Sequence, residues 1–158
     1  MKIFISYRHS EGIAAGAQLI HDGLIRHCES WRVFLDNDYL RTADSFPAVI
    51  EEQLASCDVF LVLIDPHWVA SVDRLRDPKD WVRREIELTL VRAAKDQVRV
   101  VPVLLQGARM PDAKRLPKCL AGLADRQRPP PLRGTFIGQD VAILALHIEG
   151  WTLVTLFA

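Results

Sequence analysis

Two glutamates on one predicted helix receive very different support from that helix. In "RDPKDWVRREIELTL", residues 76–90, Glu87 lies four residues after Arg83, a spacing that forms surface ion pairs worth about 0.2 to 0.5 kcal/mol. Glu85 has Trp81 one turn before it and no cation at helical spacing. A carboxylate at the margin of an apolar face is partly desolvated, so Glu85 is a candidate for catalysis. An ion pair with a distant arginine explains its position equally well.

Polar side chains also follow three of the predicted strands directly. They are Ser6, Tyr7 and Arg8 after the first strand, Asp36, Asn37 and Asp38 after the second, and Asp65 to Trp68 after the third. Taken singly, each has an ordinary structural role as a turn former, a helix cap or a half-buried packing residue. Ligands of open parallel sheets bind outside the carboxyl ends of the strands, so the candidate site is expected at this edge.

The elements that must position these residues follow an α/β pattern. Five short apolar runs alternate with longer amphipathic ones, which favours a buried, mostly parallel sheet. The predicted strands are 2–6, 31–36, 58–64, 99–105 and 135–138, and the predicted helices are 13–28, 47–56, one from after Asp77 to about Ala94, and 139–147. The third strand is the most hydrophobic and is expected at the centre, whereas Pro102 places the fourth strand nearer an edge or at a bulge. Right-handed connections predict a flavodoxin-like three-layer sandwich with a five-stranded sheet of order 2-1-3-4-5.

The helix that carries Glu85 has a predicted start and a predicted buried face. Asp77 suits the N-cap, Pro78 the first helical position and Asp80 the third position of a capping box. The predicted core-facing stripe is Val82, Ile86, Thr89, Leu90 and Ala93, with Trp81, Glu85, Leu88 and Arg92 along its flank.

Length and composition indicate one domain. The 158 residues are 49% hydrophobic, enough for the core of a single domain over residues 1–158. Its core spans about residues 2–145, and a C-terminal helix and apolar tail occupy 139–158. Lys plus Arg and Asp plus Glu are both 20. The absence of a basic excess argues against nucleic acid and anionic membranes as partners.

The cysteines and the hydropathy pattern indicate the compartment. Cys28, Cys57 and Cys119 are far apart, odd in number and outside any CxxC pair, which argues against a disulfide framework and against a zinc site. We therefore expect no bound metal. No stretch has the length of a signal-peptide core or a membrane span. A cytoplasmic location is expected.

Several blocks of the chain together resemble a known family. "FISYR" at 4–8, "VFLDNDYLRTADSF" at 33–46, "CDVFLVLI" at 57–64 and "DWVRREIE" at 80–87, in this order and spacing, resemble the Toll/interleukin-1 receptor (TIR) domain of the bacterial type. The likeness covers about residues 2–145 and implies a flavodoxin-like fold. Members of the family either assemble with other TIR domains as adaptors or cleave NAD between nicotinamide and ribose.

The resemblance also assigns roles to residues. The enzymes carry a catalytic glutamate in a W-x-x-x-E spacing, which Trp81 and Glu85 match, so the resemblance selects Glu85. The implied NAD-binding residues are Ser6, Tyr7, Arg8, Asp36, Asp38, Arg41, Phe46 and Trp81. Residues 36–46 would form the BB loop, which covers the site and takes part in assembly. Ala43 stands where that loop usually has glycine, and the loss of easy access to positive φ predicts a different loop shape.

The expected activity is cleavage of NAD to nicotinamide and ADP-ribose or a cyclic isomer, with NAD as substrate and no cofactor. Nicotinamide is already a cationic leaving group, so one carboxylate suffices. The resemblance further implies activation by homo-oligomerisation through TIR–TIR contacts, a sensor domain or activating protein, and a role in bacterial antiviral defence. The alternative is a non-catalytic adaptor.

Two other classes that use related folds fit the sequence less well. A receiver domain would use Asp65 as phospho-acceptor and would need an acidic pair after the first strand, where Ser6, Tyr7 and Arg8 stand. A dinucleotide-binding Rossmann domain would carry GxGxxG after that strand, and the motif is absent.

Overall fold

Four parallel strands form the sheet of the computed structural model, which describes residues 1–36, 48–134 and 137–157, without side-chain surroundings for residue 137 and residues 152–157. The strands are β1 (Lys2–Tyr7), β2 (Arg32–Leu35), β3 (Val59–Ile64) and β4 (Arg99–Leu104), in the order β2-β1-β3-β4. The helices are α1 (Glu11–His27), α2 (Ala48–Ser56), α3 (Pro66–Ala70), α4 (Trp81–Ala93) and α5 (Ile137–Phe157). Short 3-10 turns cover Val72–Arg76, Ala113–Arg115 and Lys118–Leu123.

The positions of the two most distinctive strands follow from their sequences. All six residues of β3 are buried, and β3 pairs with β1 on one side and β4 on the other, which confirms its central place. Pro102 lies in β4, the outer strand of the described sheet, where a missing backbone donor is tolerated. The order of these four strands is the one expected from sequence.

The end of the chain differs from the prediction. Of the predicted fifth strand, Thr135 and Phe136 lie outside the described residues, and Ile137 and Gly138 already belong to α5. A single parallel bridge from Leu105 to Leu132 is the described pairing on that side of β4. The helix predicted over 139–147 runs instead from Ile137 to Phe157 and includes most of the segment predicted as an apolar tail. The reason is that 148–157 contain no proline, so nothing forces the helix to stop at His147.

The sheet separates two hydrophobic clusters, and β1 contributes to both. Ile3, Ile5 and Tyr7 pack with residues of α1 and α5, on what we term the α1–α5 face. Phe4 packs with residues of α2 and α4, on what we term the α2–α4 face. Alternate residues of a strand point to opposite sides of its sheet, so Ser6 and Arg8 follow Phe4 onto the α2–α4 face.

Within the described residues, no helix combines the length and apolar character that a membrane crossing requires.

Candidate functional site

Helix α4 begins later than its sequence predicts. Its N-cap is Asp80, not Asp77, and the Oδ1 atom of Asp80 accepts a hydrogen bond from the Arg83 N–H at 3.0 Å. Asp77 instead accepts from the Lys79 N–H at 2.9 Å. This local side-chain bond stabilises a turn that competes with helix, so Pro78 lies in the turn and the first helical residue is Trp81.

Glu85 is fully buried and faces the sheet, so its predicted place on the flank of the helix is wrong. The Ser6 hydroxyl, at the carboxyl end of β1, donates to Glu85 Oε2 at 2.5 Å. Ser6 is itself fully buried. A small hydroxyl side chain at this point of β1 leaves room for the carboxylate and supplies a donor, which periodicity within α4 cannot reveal. Leu90, predicted in the buried stripe, is half-buried.

Glu87 shows the ordinary surface behaviour that its sequence predicts. Its Oε2 lies 3.6 Å from the Arg83 Nε atom, and the side chain of Glu87 is substantially exposed. The guanidinium of Arg84 lies 5.9 Å from the centre of the Trp81 ring, within the range of a cation–π contact. Two glutamates two residues apart therefore occupy contrasting environments.

Arg8 is buried and forms an ion pair with Asp80. Its Nη1 lies 2.9 Å from Asp80 Oδ2 and its Nη2 lies 3.1 Å from Asp80 Oδ1. This two-pronged geometry is the strongest form of an arginine–carboxylate contact. Arg74, which is mostly exposed, places its Nε 3.9 Å from Asp80 Oδ2.

A cleft of about 230 Å³ opens beside the first turn of α4, and its lining residues are Arg8, Arg74, Asp77, Lys79, Asp80 and Trp81. The lining holds three cations, two carboxylates and an indole ring. Because Arg8 is paired with Asp80, the exposed cations suited to an anionic ligand are Arg74 and Lys79. The cleft lies next to the carboxyl end of β1, the edge at which open parallel sheets bind ligands.

A much larger cleft, of about 920 Å³, lies at the opposite, amino-terminal edge of the sheet. Its lining includes Asp58, Asp96, Arg99 and Trp151, and the Arg99 guanidinium lies 5.5 Å from the Trp151 ring centre. Volume alone favours this cleft. The topology and the buried polar side chains favour the smaller one, and we assign the candidate site there because chemistry requires specific groups.

The remaining predicted site residues fall into three groups. Tyr7 packs on the α1–α5 face, away from Glu85, with its ring 4.2 Å from that of His9. Asp36 is fully buried after β2, and its N–H donates to the Ile5 carbonyl at 3.1 Å. Asp38, Arg41 and Phe46 lie outside the described residues.

The ion pair of Asp80 was not predicted from the sequence, whereas Asp65 has one of the ordinary roles considered for it. Asp65 caps α3, where its Oδ1 accepts from the Trp68 N–H at 2.8 Å. Asp80 pairs with Arg8 across 72 residues of sequence. A cation directly after a buried strand, such as Arg8, indicates that a carboxylate lies nearby, but the sequence does not identify that carboxylate.

Comparisons with known proteins agree with the fold. A sequence model of the TIR domain family matches residues 3–128. The chain is 27% identical over 125 residues to the NAD(+) hydrolase sarm1 of Drosophila melanogaster, a match that covers 78% of this chain and 8% of that protein. The chain therefore corresponds to a small part of that relative.

A solved structure gives the same picture. The TIR domains of the activated Roq1 resistosome, which directly recognises the pathogen effector XopQ, superpose with a TM-score of 0.65 at 14% sequence identity, over 94% of this chain and 98% of that chain. This likeness shows the fold. Because the family sequence model spans most of the chain and the architecture agrees with it, the chain belongs to the TIR domain family.

Proposed function

We propose that this TIR domain cleaves NAD between nicotinamide and ribose, with Glu85 as the catalytic carboxylate, and releases nicotinamide with ADP-ribose or a cyclic isomer. The observation that carries the proposal is the placement of Glu85. It is a fully buried carboxylate, bonded to Ser6 at the carboxyl end of β1, one helical turn after the Trp81 that lines the adjacent cleft. The name of the Drosophila relative, an NAD(+) hydrolase, supports the same substrate.

The chemistry requires little of the protein beyond a well-placed negative charge. When the bond between ribose and nicotinamide breaks, its electron pair neutralises the pyridinium nitrogen, and positive charge develops on the ribose. A carboxylate shielded from water stabilises that charge more strongly than the same group in solvent. Attack by water, which then loses a proton, gives ADP-ribose, and attack by a nitrogen of the substrate's own adenine gives a cyclic isomer.

Substrate binding would use the groups around the smaller cleft. Arg74 and Lys79, which lie near the Arg8–Asp80 pair, are suited to the phosphates of NAD, and the Trp81 indole is suited to a flat ring. We keep Ser6, Tyr7, Arg8, Asp36, Asp38, Arg41 and Phe46 as proposed contacts. NAD itself is the substrate, and the proposed reaction uses no cofactor.

Access to Glu85 is the step that assembly would control. Because Glu85 and Ser6 are both closed to solvent, the packing around them has to open before a ribose can reach the carboxylate. We propose that homo-oligomerisation through TIR–TIR contacts, including residues 36–46, drives this opening. A sensor domain or activating protein would bring copies together, in the cytoplasm of a bacterium and as part of antiviral defence.

A non-catalytic adaptor is the second candidate, and the buried state of Glu85 is the observation that favours it. An adaptor requires only the fold and its contact surfaces. In that case Glu85 is a structural side chain that accepts a hydrogen bond from Ser6.

The two candidates are separated by NAD turnover on clustered protein, for example on His-tagged chains bound to nickel-bearing vesicles, with nicotinamide measured by chromatography. Glu85→Gln keeps the shape and removes the charge, and should lower the rate by at least about 100-fold, the loss typical of an electrostatic stabiliser. The matched control is Glu87→Gln, which removes a surface ion pair and should leave the rate unchanged. A wild-type protein that stays inactive when clustered excludes the enzymatic function. A Glu85→Gln variant with full rate excludes Glu85 as the catalytic carboxylate.

A further inference from the structure

We infer that Asp80 is a positioning residue, which fixes the first turn of α4 against the end of β1 and thereby sets where Glu85 and Trp81 lie. The inference rests on the proposed function for its catalytic consequence. Its structural content does not depend on that function.

The Asp80 carboxylate is held by two elements at once. Its Oδ1 accepts from the Arg83 N–H of α4 and also from Arg8 Nη2, and its Oδ2 accepts from Arg8 Nη1. A guanidinium has a rigid, planar set of donors, so two parallel bonds fix its orientation as well as its distance. Neither side chain can rotate without breaking a bond.

A second link joins the same two elements. Ser6, near the end of β1, and Arg8, directly after the strand, bond to Glu85 and Asp80 respectively. Two residues of a strand cover about 6.6 Å, and the five residues from Asp80 to Glu85 cover about 7.5 Å of helix. Because these spacings match, the two links together fix both the sliding and the rotation of α4 on the sheet.

The buried ion pair is better explained by geometry than by stability. Both side chains are about 5% exposed, and the loss of hydration largely offsets the attraction between two buried charges. What the pair supplies is a fixed distance between β1 and α4. Reaction rates are sensitive to such distances, since a misplacement of about 1 Å can lower a rate about 100-fold.

The rival explanation is that Asp80 serves as a helix cap and nothing more. Asparagine caps helices about as well as aspartate. Asp80→Asn therefore keeps an acceptor for the Arg83 N–H and removes the charge that faces Arg8. The substitution separates the two roles of this side chain.

The test is steady-state NAD turnover on clustered protein, together with amide hydrogen exchange on each variant. We expect Asp80→Asn to lower kcat by about 10- to 100-fold while KM changes less than about threefold. Arg8→Lys keeps the charge and loses the two-pronged contact, so its kcat at saturating NAD should also fall. In the double variant Arg8→Lys/Asp80→Asn, kcat should be no lower than in the worse single variant, because both substitutions disrupt the same link.

The matched control is Asp73→Asn, the same chemical change in an exposed aspartate whose ion pair with Arg76 lies outside the cleft. It should leave kcat, KM and exchange unchanged. Asp80→Asn should accelerate exchange of the amides of residues 83–86 at a temperature where circular dichroism shows the protein folded.

Each result decides the inference. If Asp80→Asn keeps the wild-type kcat while Glu85→Gln is inactive, the inference is wrong and the proposed function stands. The inference is also wrong if the kcat of Asp80→Asn falls only at temperatures where the protein unfolds. If wild type shows no turnover, the proposed function fails, and amide hydrogen exchange then tests the positioning role by itself. Unchanged exchange of residues 83–86 in Asp80→Asn overturns that role.

Discussion

The two faces of the sheet differ in the side chains that the same strands place on them. On the α1–α5 face, β1 presents Ile3, Ile5 and Tyr7, which join one continuous hydrophobic cluster. On the α2–α4 face, it presents Phe4 and then Ser6, and Arg8 follows directly after the strand; both polar side chains are buried. One face remains apolar to the end of the strand, and the other becomes polar within two residues.

This difference indicates where in the fold a functional site lies. A buried polar group is costly unless it is bonded, and Ser6, Arg8, Asp80 and Glu85 each have a bonded partner on the α2–α4 face. Such an arrangement uses interior space that apolar side chains could fill. Both faces contain a large hydrophobic cluster, but within the described residues only the α2–α4 face ends in these bonded polar groups, so we assign the site to its carboxyl edge.

The largest predicted effect on stability tests the α1–α5 face. Leu144→Ala removes a fully buried side chain of α5 and should lower the free energy of unfolding by about 2 to 5 kcal/mol. The matched control on the same helix is Leu146→Ala, 58% exposed, which should change it by less than about 0.5 kcal/mol. Urea denaturation followed by circular dichroism measures both. If folded Leu144→Ala protein lost its NAD turnover, the separation of the two faces would be wrong.

A smaller effect is expected where α1 meets α5. A Cβ atom at Gly23 would lie 2.6 Å from Val141 Cγ1, a distance that forces the helices apart or strains a stiff β-branched side chain. Gly23→Ala should therefore cost about 1 to 2 kcal/mol in unfolding free energy. Gly16 lies on the same helix with nothing near its Cβ position, so Gly16→Ala should stabilise by about 0.5 to 1 kcal/mol. Thermal unfolding of the two variants measures both changes, and opposite signs of the change in stability confirm that α1 and α5 approach closely at Gly23. A Gly23→Ala variant that is more stable than wild type contradicts this close approach.

The fold was largely predictable because its signals are local. The apolar run of β3 and Pro102 in β4 placed these two strands, and right-handed connections predicted the order of the four described strands. The errors fell at element ends. The start of α4 depends on whether Asp77 caps the helix or a turn, and the two options differ by one side-chain hydrogen bond.

The contrast between the two glutamates of α4 was predictable from the sequence, and their contacts were not. Helical spacing separated Glu85 from Glu87, and the resemblance selected Glu85. Glu85 bonds to Ser6, 79 residues away, and Arg8 bonds to Asp80, 72 residues away. Periodicity describes one element at a time, so it cannot determine which side chains two elements bring together.

The smallest predicted effect concerns Cys57, at the end of the α2–α4 cluster. Burial raises the pKa of its thiol, and the nearby Arg92 guanidinium, 3.5 Å from Sγ, opposes that shift only in part. The folded protein therefore keeps the thiol protonated above the pH, roughly 8.5, at which an unfolded cysteine ionises. The unfolded state then binds fewer protons, so the stability that Cys57 contributes is fully present below that pH and is lost as pH rises towards the folded pKa, by at most about 1.4 kcal/mol per unit.

The measurement compares wild type with Cys57→Ala between pH 7 and pH 10, so that other titrating groups cancel. Wild type should lose more unfolding free energy over this range than the variant does. Alkylation by iodoacetamide gives an independent reading: Cys119, which is exposed, should react first, half-buried Cys28 next, and Cys57 last. The thiolate is the reacting form, so a Cys57 that reacts as fast as Cys119 would mean that the α2–α4 face opens readily near α2. The α2–α4 face would then be more mobile than the α1–α5 face, and its mobility, more than its buried polar groups, would distinguish the two faces.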